Sequence, residues 1–197
     1  PGRAVWRYLQ RGESTPEAMK EYARLAGELG FEYNVLEGFW SRWSMEERRE
    51  VVEFSRGHGV GIWFWRHSNA LRTPEAREEF FSMCADLGVV GAKIAFLDHE
   101  AKDIIDLYHE LLRTAAHHRI LVNFHGANKP AGEARTWPNE LTREGVFGME
   151  HRSIDAWAPL NTILPFTRFI VGAGDYTPVM FNERRRETSW AHQLATA

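Results

Sequence analysis

Residues Leu121 to Glu150 read LVNFHGANKPAGEARTWPNELTREGVFGME. The segment opens as an apolar strand, LVNF, and breaks at His125-Gly126. A long polar loop follows with Lys129, Pro130, Arg135, Trp137, Pro138 and Asn139, and it closes on Glu144 and Glu150 around a short apolar run. A buried strand that empties into a loop of charged and aromatic residues is how a barrel enzyme builds its rim. The strand gives a rigid base and the loop carries the chemistry.

Working outward, the same unit recurs. Apolar runs predict strands at Ala4–Tyr8, Phe31–Leu36, Val60–Trp65, Val90–Phe96, Ile120–Phe124, Val146–Met149 and Phe169–Gly172. Amphipathic stretches lie between the early ones. Thr15-Pro16-Glu17 supplies a cap, a proline for the first helical position and an acid for the first turn, and Gly30 stops that helix. Ser44-Met45-Glu46-Glu47 is a capping box, and Thr73-Pro74-Glu75 opens a third helix that Gly88 closes. Ala101 to His118 is a fourth, and Thr188 to Ala197 is also helical in pattern.

Repeated strand-helix units imply parallel strands with right-handed crossovers, in either a doubly wound sheet or a TIM barrel. No glycine-rich phosphate loop follows a strand, which weakens the dinucleotide-binding alternative. Polar residues gather at strand C-terminal ends: Glu37, Arg66-His67, Asp98, His125, Glu150 and Asp175. That pattern favours a (β/α)8-type barrel with its site on the C-terminal face. The predicted strands fall one short of eight, and such barrels usually need roughly 250 residues. With 197 residues, the chain reads as an α/β barrel truncated before the eighth strand.

Composition narrows the function. Hydrophobic residues make up 44% and the formal charge is -3, which points away from nucleic acid and from an anionic membrane as partners. No apolar run reaches the roughly 20 residues of a membrane span, and no signal peptide is visible at Pro1-Gly2-Arg3. A single Cys84 excludes an internal disulfide framework.

Three segments carry a resemblance. FHGANKPAGEARTWPNELTREGVFGME (124–150), GAKIAFLDHEAK (91–102) and LPFTRFIVGAGDYTP (164–178) resemble, in order and spacing, the signature of glycoside hydrolase family 97, bacterial α-glucosidases and α-galactosidases. The resemblance implies that residues 1–197 are a partial catalytic barrel, without the family's N-terminal β-sandwich and C-terminal β domain. It also implies an oligosaccharide or α-glycoside substrate, a Ca²⁺ ion, and a periplasmic or secreted enzyme.

Hydrolysis of a glycoside needs two carboxyl groups flanking the bond. The resemblance carries the general acid/base onto Glu150. It makes Glu144 a calcium ligand, with Glu150 near or on the same ion. The bland alternatives are salt bridges, of Glu150 with Arg143 or Arg152 and of Glu144 with Arg143 or Arg135. The family's inverting branch has a glutamate base where this chain has Gly126. Its retaining branch has a nucleophilic aspartate in a K-I-D-F motif that reads here Lys93-Ile94-Ala95-Phe96. The chain therefore resembles the retaining branch with the nucleophile position held by Ala95. Three readings of Ala95 stand open: an engineered knockout, a natural inactive homologue, or transfer of the role to Asp98, whose plainer reading is a helix cap near His99.

Lys93, His125, Arg135, Trp137 and Asp175 are the expected substrate-binding residues, with Asn139 beside them and Glu37 and His67 at earlier strand ends. Retaining relatives lean towards α-galactosides, then α-glucosides. Two other classes compete: a non-catalytic carbohydrate-binding homologue, and a metal-dependent TIM-barrel hydrolase using His67, His125, Asp98 and Asp175. The second is weakened because the first strand, VWRYL, has no His-x-His pair.

Overall fold

The structure is a computed structural model that describes residues 2–10, 12–151, 156–180 and 188–196. Six strands form one sheet: β1 (Ala4–Trp6), β2 (Tyr33–Leu36), β3 (Gly61–His67), β4 (Gly91–Ala95), β5 (Leu121–His125) and β6 (Glu140–Arg143). Every neighbouring pair is parallel, and the spatial order follows the sequence without reversal. A doubly wound sheet would reverse its order at a switch point, whereas a barrel wall does not. The wall is curled. In a flat sheet β1 and β5 would stand about 19 Å apart at the usual strand spacing, yet the rings of Trp6 and His125 meet with centroids 5.6 Å apart.

Helices α1 (Pro16–Glu28), α2 (Met45–Gly57), α3 (Pro74–Leu87) and α4 (Lys102–His117) fill the crossovers. Their ends follow local chemistry. Thr15 and Thr73 accept from Ala18 N and Ala76 N, and Ser44 with Glu47 completes a capping box. Gly88 ends α3 with φ 80°, a backbone glycine adopts without penalty. The strand period of two then divides the sheet. Leu36, Ile62, Phe64, Ala92, Ile94, Val122 and Phe124 face the helices and join Met19, Val51, Phe81 and Leu111 in the main core. The alternate residues face the barrel interior in register, with Trp65, Lys93 and Asn123 in one row and His67, Ala95 and His125 in the next.

Two expected strands are corrected. The sixth strand is Glu140–Arg143, while Val146–Met149 is a bend and turn. Phe169–Val171 is a 3-10 turn, and strand-like pairing there is the single parallel bridge Arg143–Gly174. Strand β6 is polar because its charges pair with each other. Arg143 is fully buried, ion-paired to Glu140 and Glu133, and its guanidinium lies 4.2 Å from the Tyr108 ring centroid and 5.3 Å from that of Phe124. Asp98 caps nothing: the residue before α4 is Ala101, without a side-chain cap. The C-terminal helical stretch is α6 (Trp190–Thr196), preceded by α5 (Trp157–Ile163). Among the described residues, no helix is long and apolar enough to cross a membrane.

Candidate active site

His125 ends β5 and is the hub of the barrel mouth. Its Nδ1 stands 2.8 Å from Asp175 Oδ2. Its Nε2 stands 3.3 Å from Glu150 Oε2 and 3.5 Å from Glu144 Oε1. Burial and the Lys93 ammonium both oppose a charge on this imidazole. The hydrogen bonds to Asp175 and Glu150 outweigh them and raise its pKa to about 9. At neutral pH the ring is an imidazolium that donates from both nitrogens.

Lys93, one row deeper on β4, closes the other side. Its Nζ lies 2.7 Å from Asp175 Oδ2 and 4.1 Å from the centroid of the Trp6 ring. Burial would raise the Asp175 pKa, but Lys93 and His125 hold that carboxyl far below the usual range. Asp175 is a fixed anion, suited to accept hydrogen bonds. The Trp6 indole donates to Glu37 Oε1 at 2.5 Å, and burial pushes the Glu37 carboxyl up, against the pull of Trp6 and Lys93.

Ala95 is paired with His67 on one side and His125 on the other. Its methyl points into the same interior row and is 1% exposed. A carboxylate at position 95 would therefore stand beside His125, which touches Glu150. The backbone then enters the left-handed region at Phe96, φ 65°, a strained conformation of the kind that collects at functional sites. Gly126 has φ 55°, and a Cβ there would meet Phe96 N at 3.2 Å. Its N–H donates to Glu144 Oε2 at 2.6 Å, so the chain uses Gly126 to hold Glu144.

Among the described residues, neither Glu144 nor Glu150 pairs with Arg143 or Arg135. Arg143 points away, to Glu140 and Glu133, and Arg152 lies outside the described residues. Glu144 turns to His125 and Gly126 instead, and burial raises its carboxyl against the pull of His125. Ligand atoms of His125, Glu144 and Glu150 all lie within 4.8 Å of one another. The two carboxylates offer the hard oxygens that Ca²⁺ prefers; the imidazolium does not. Beside Glu144 opens a cavity of about 660 Å³ lined by Asp98, Gly126, Phe147, His151 and Arg168 among others. Asp98 is exposed at the edge of that cavity.

The structure thus brings together Lys93, His125, Glu144, Glu150 and Asp175, with Ala95 in register beside His125. It does not bring in Arg135 or Trp137. Arg135 is exposed at the end of a 3-10 turn, and Trp137 packs on the helical side, its indole 3.3 Å from His109 Nδ1. Asn139 donates to the Leu112 carbonyl and serves the scaffold. Sequence reasoning missed Trp6, whose only signal was an aromatic at a strand end, and Arg168, which lies inside the segment 164–178 but was not singled out there.

The sequence profile of the family described as glycoside hydrolase 97 matches residues 2–146. A probable retaining alpha-galactosidase of Streptomyces bingchenggensis is 37% identical, over 94% of this chain and 31% of its own length. A retaining alpha-galactosidase of Bacteroides thetaiotaomicron is 27% identical, over 90% of this chain and 30% of its own length. The chain spans about a third of the length of these curated relatives. A crystal structure of a beta-arabinopyranosidase superposes with a TM-score of 0.89 at 25% identity, covering 99% of this chain and 36% of that one.

Proposed function

The chain belongs to glycoside hydrolase family 97, and on that premise we propose that it is the barrel of a retaining α-glycoside hydrolase in which Glu150 is the general acid/base and Ala95 fills the nucleophile's place. The observation that carries this is the convergence of Glu150, Glu144 and Asp175 on His125, one strand from the Ala95 side chain. In the double displacement, Glu150 protonates the leaving oxygen while a carboxylate attacks the anomeric carbon. The same Glu150 then takes a proton from the incoming water. Asp175 and Lys93 are arranged to hold ring hydroxyls, and His125 to steady the Glu150 carboxylate. With a methyl at position 95, no glycosyl-enzyme ester can form. The chain as written binds its sugar without appreciable turnover, which keeps the non-catalytic carbohydrate-binding reading alive on the same observation.

Glu144 and Glu150 are the residues that would hold Ca²⁺, which would stabilise developing charge near the leaving oxygen. With two carboxylates at the site among the described residues, calcium titration of the 197-residue chain should show weak or no binding; tight binding would sink this assignment. The substrate ranks α-galactoside first and α-glucoside next. The relatives' names support the first choice, and so does the arabinopyranosidase likeness. A β-L-arabinopyranosyl ring has the configuration of an α-D-galactosyl ring without its hydroxymethyl arm. Export to the periplasm or beyond belongs to the same reading, and fractionation of the producing cells tests it. The functional test is titration of galactose, L-arabinose and glucose followed by NMR of sugar resonances. Binding of galactose or arabinose ahead of glucose is expected, and indifference to all three would overturn the proposal.

A further inference from the structure

Arg168 sits between the 3-10 turns Leu164–Phe166 and Phe169–Val171 and is 7% exposed. No carboxylate ion pair to it forms among the described residues. Its guanidinium instead meets backbone carbonyls. Nη2 donates to Arg143 O at 2.8 Å, Glu144 O at 2.8 Å and Ala173 O at 3.2 Å. Nε donates to Glu144 O at 3.0 Å and Gly145 O at 3.1 Å, and Nη1 to Gly172 O at 2.9 Å. One buried planar cation therefore joins two chain segments through carbonyls alone. Burial without a counter-ion lowers its pKa, so the arrangement is costly, and bulk packing does not require it.

The two segments are those that deliver Glu144 and Asp175. Backbone pairing between them is limited to the Arg143–Gly174 bridge and the bond from Asp175 N to Arg143 O at 2.9 Å. Beyond it a ladder would normally satisfy the carbonyls of residues 143–145 and 172–173. Here the fork of Arg168 does so, in a geometry that a lysine ammonium cannot copy. Gly145, with φ 47° and room for no Cβ against Lys129 N at 2.6 Å, lets the chain turn tightly enough to present its carbonyl.

We propose that Arg168 is a positioning residue of the candidate site: by clamping residues 143–145 to residues 172–173 it sets the spacing of the Glu144 and Asp175 carboxylates around His125. The inference rests on the functional reading only for what that spacing is used for. Lys93 and Gly126 also hold the two carboxylates, so loss of the clamp should shift the cluster without dispersing it.

The experiment is proton NMR of the His125 Nδ1–H that donates to Asp175, assigned by its disappearance in His125→Gln. The variants are Arg168→Met and Arg168→Lys, with Val51→Ala as a control that loosens the remote α2 core. In both Arg168 variants the resonance should move upfield or be lost to exchange, with lysine the milder, while Val51→Ala leaves it in place. An unmoved resonance in either variant that folds, or an equal shift in Val51→Ala, overturns the proposal. If Arg168→Met does not fold, Arg168→Lys decides alone. Because the signal needs no substrate and no metal, failure of the glycosidase reading would appear in sugar binding and hydrolysis and not here.

Discussion

At the scale of single residues, the site is a contest between burial and pairing, and His125 shows how it is settled. Its folded pKa, about 9, lies above the unfolded value of about 6.5. The stabilisation from protonating it is therefore complete below about pH 6.5 and is lost as pH rises through about 9. The gap in urea midpoint between the wild type and His125→Gln should be widest near pH 6 and narrow by pH 10. A gap that widens with pH would contradict the hydrogen bonds assigned to Asp175 and Glu150. Gly126 gives a second test. At φ 55°, with a Cβ meeting Phe96 N at 3.2 Å, Gly126→Ala should cost about 1–2 kcal/mol, measured by denaturant unfolding. A Gly126→Ala variant as stable as the wild type would contradict the strain assigned to this position.

At the scale of elements, β6 is the instructive case. A hydrophobic scan selects Val146–Met149, yet the strand is ELTR, buried by virtue of the Glu140–Arg143 pair and the rings of Tyr108 and Phe124. Arg143→Met should leave Glu140 buried and unpaired and destabilise by about 3–5 kcal/mol. A thermal midpoint within a degree of wild type would show that the pair is ornamental. The capped helices and strands β2 to β5 were legible because their signals are local: Thr-Pro-Glu openings, a capping box, and apolar runs facing helices. The polar strand was not, because its burial depends on partners brought from α4 and β5. The same division runs through the site. His125, Lys93, Glu144, Glu150 and Asp175 could be named from motif and strand-end position. Arg135 and Trp137 belong to the same loop, but the loop leaves Arg135 exposed and packs Trp137 against α4, directions that the sequence does not encode locally. Arg168 acts through carbonyls, which any sequence possesses.

At the scale of the whole molecule, six parallel strands in sequential order curl until β1 touches β5, and this curvature brings residues from 6 to 175 into one cluster. On the proposed reading, Glu150 is the acid, Glu144 and Glu150 offer carboxylates suited to calcium, Lys93, Asp175 and His125 hold the sugar, and Ala95 puts a methyl where attack should begin. The central claim is that position 95 is the nucleophile's place in a retaining glycosidase, and restoration tests it most directly. In the protein as its gene encodes it, Ala95→Asp should be assayed on nitrophenyl α-galactoside and α-glucoside, with the anomer of the first-formed sugar followed by NMR. The account predicts hydrolysis that the Ala95 protein lacks, faster on the galactoside, with the α anomer appearing first. No activity on either substrate, or a β anomer first, would contradict it.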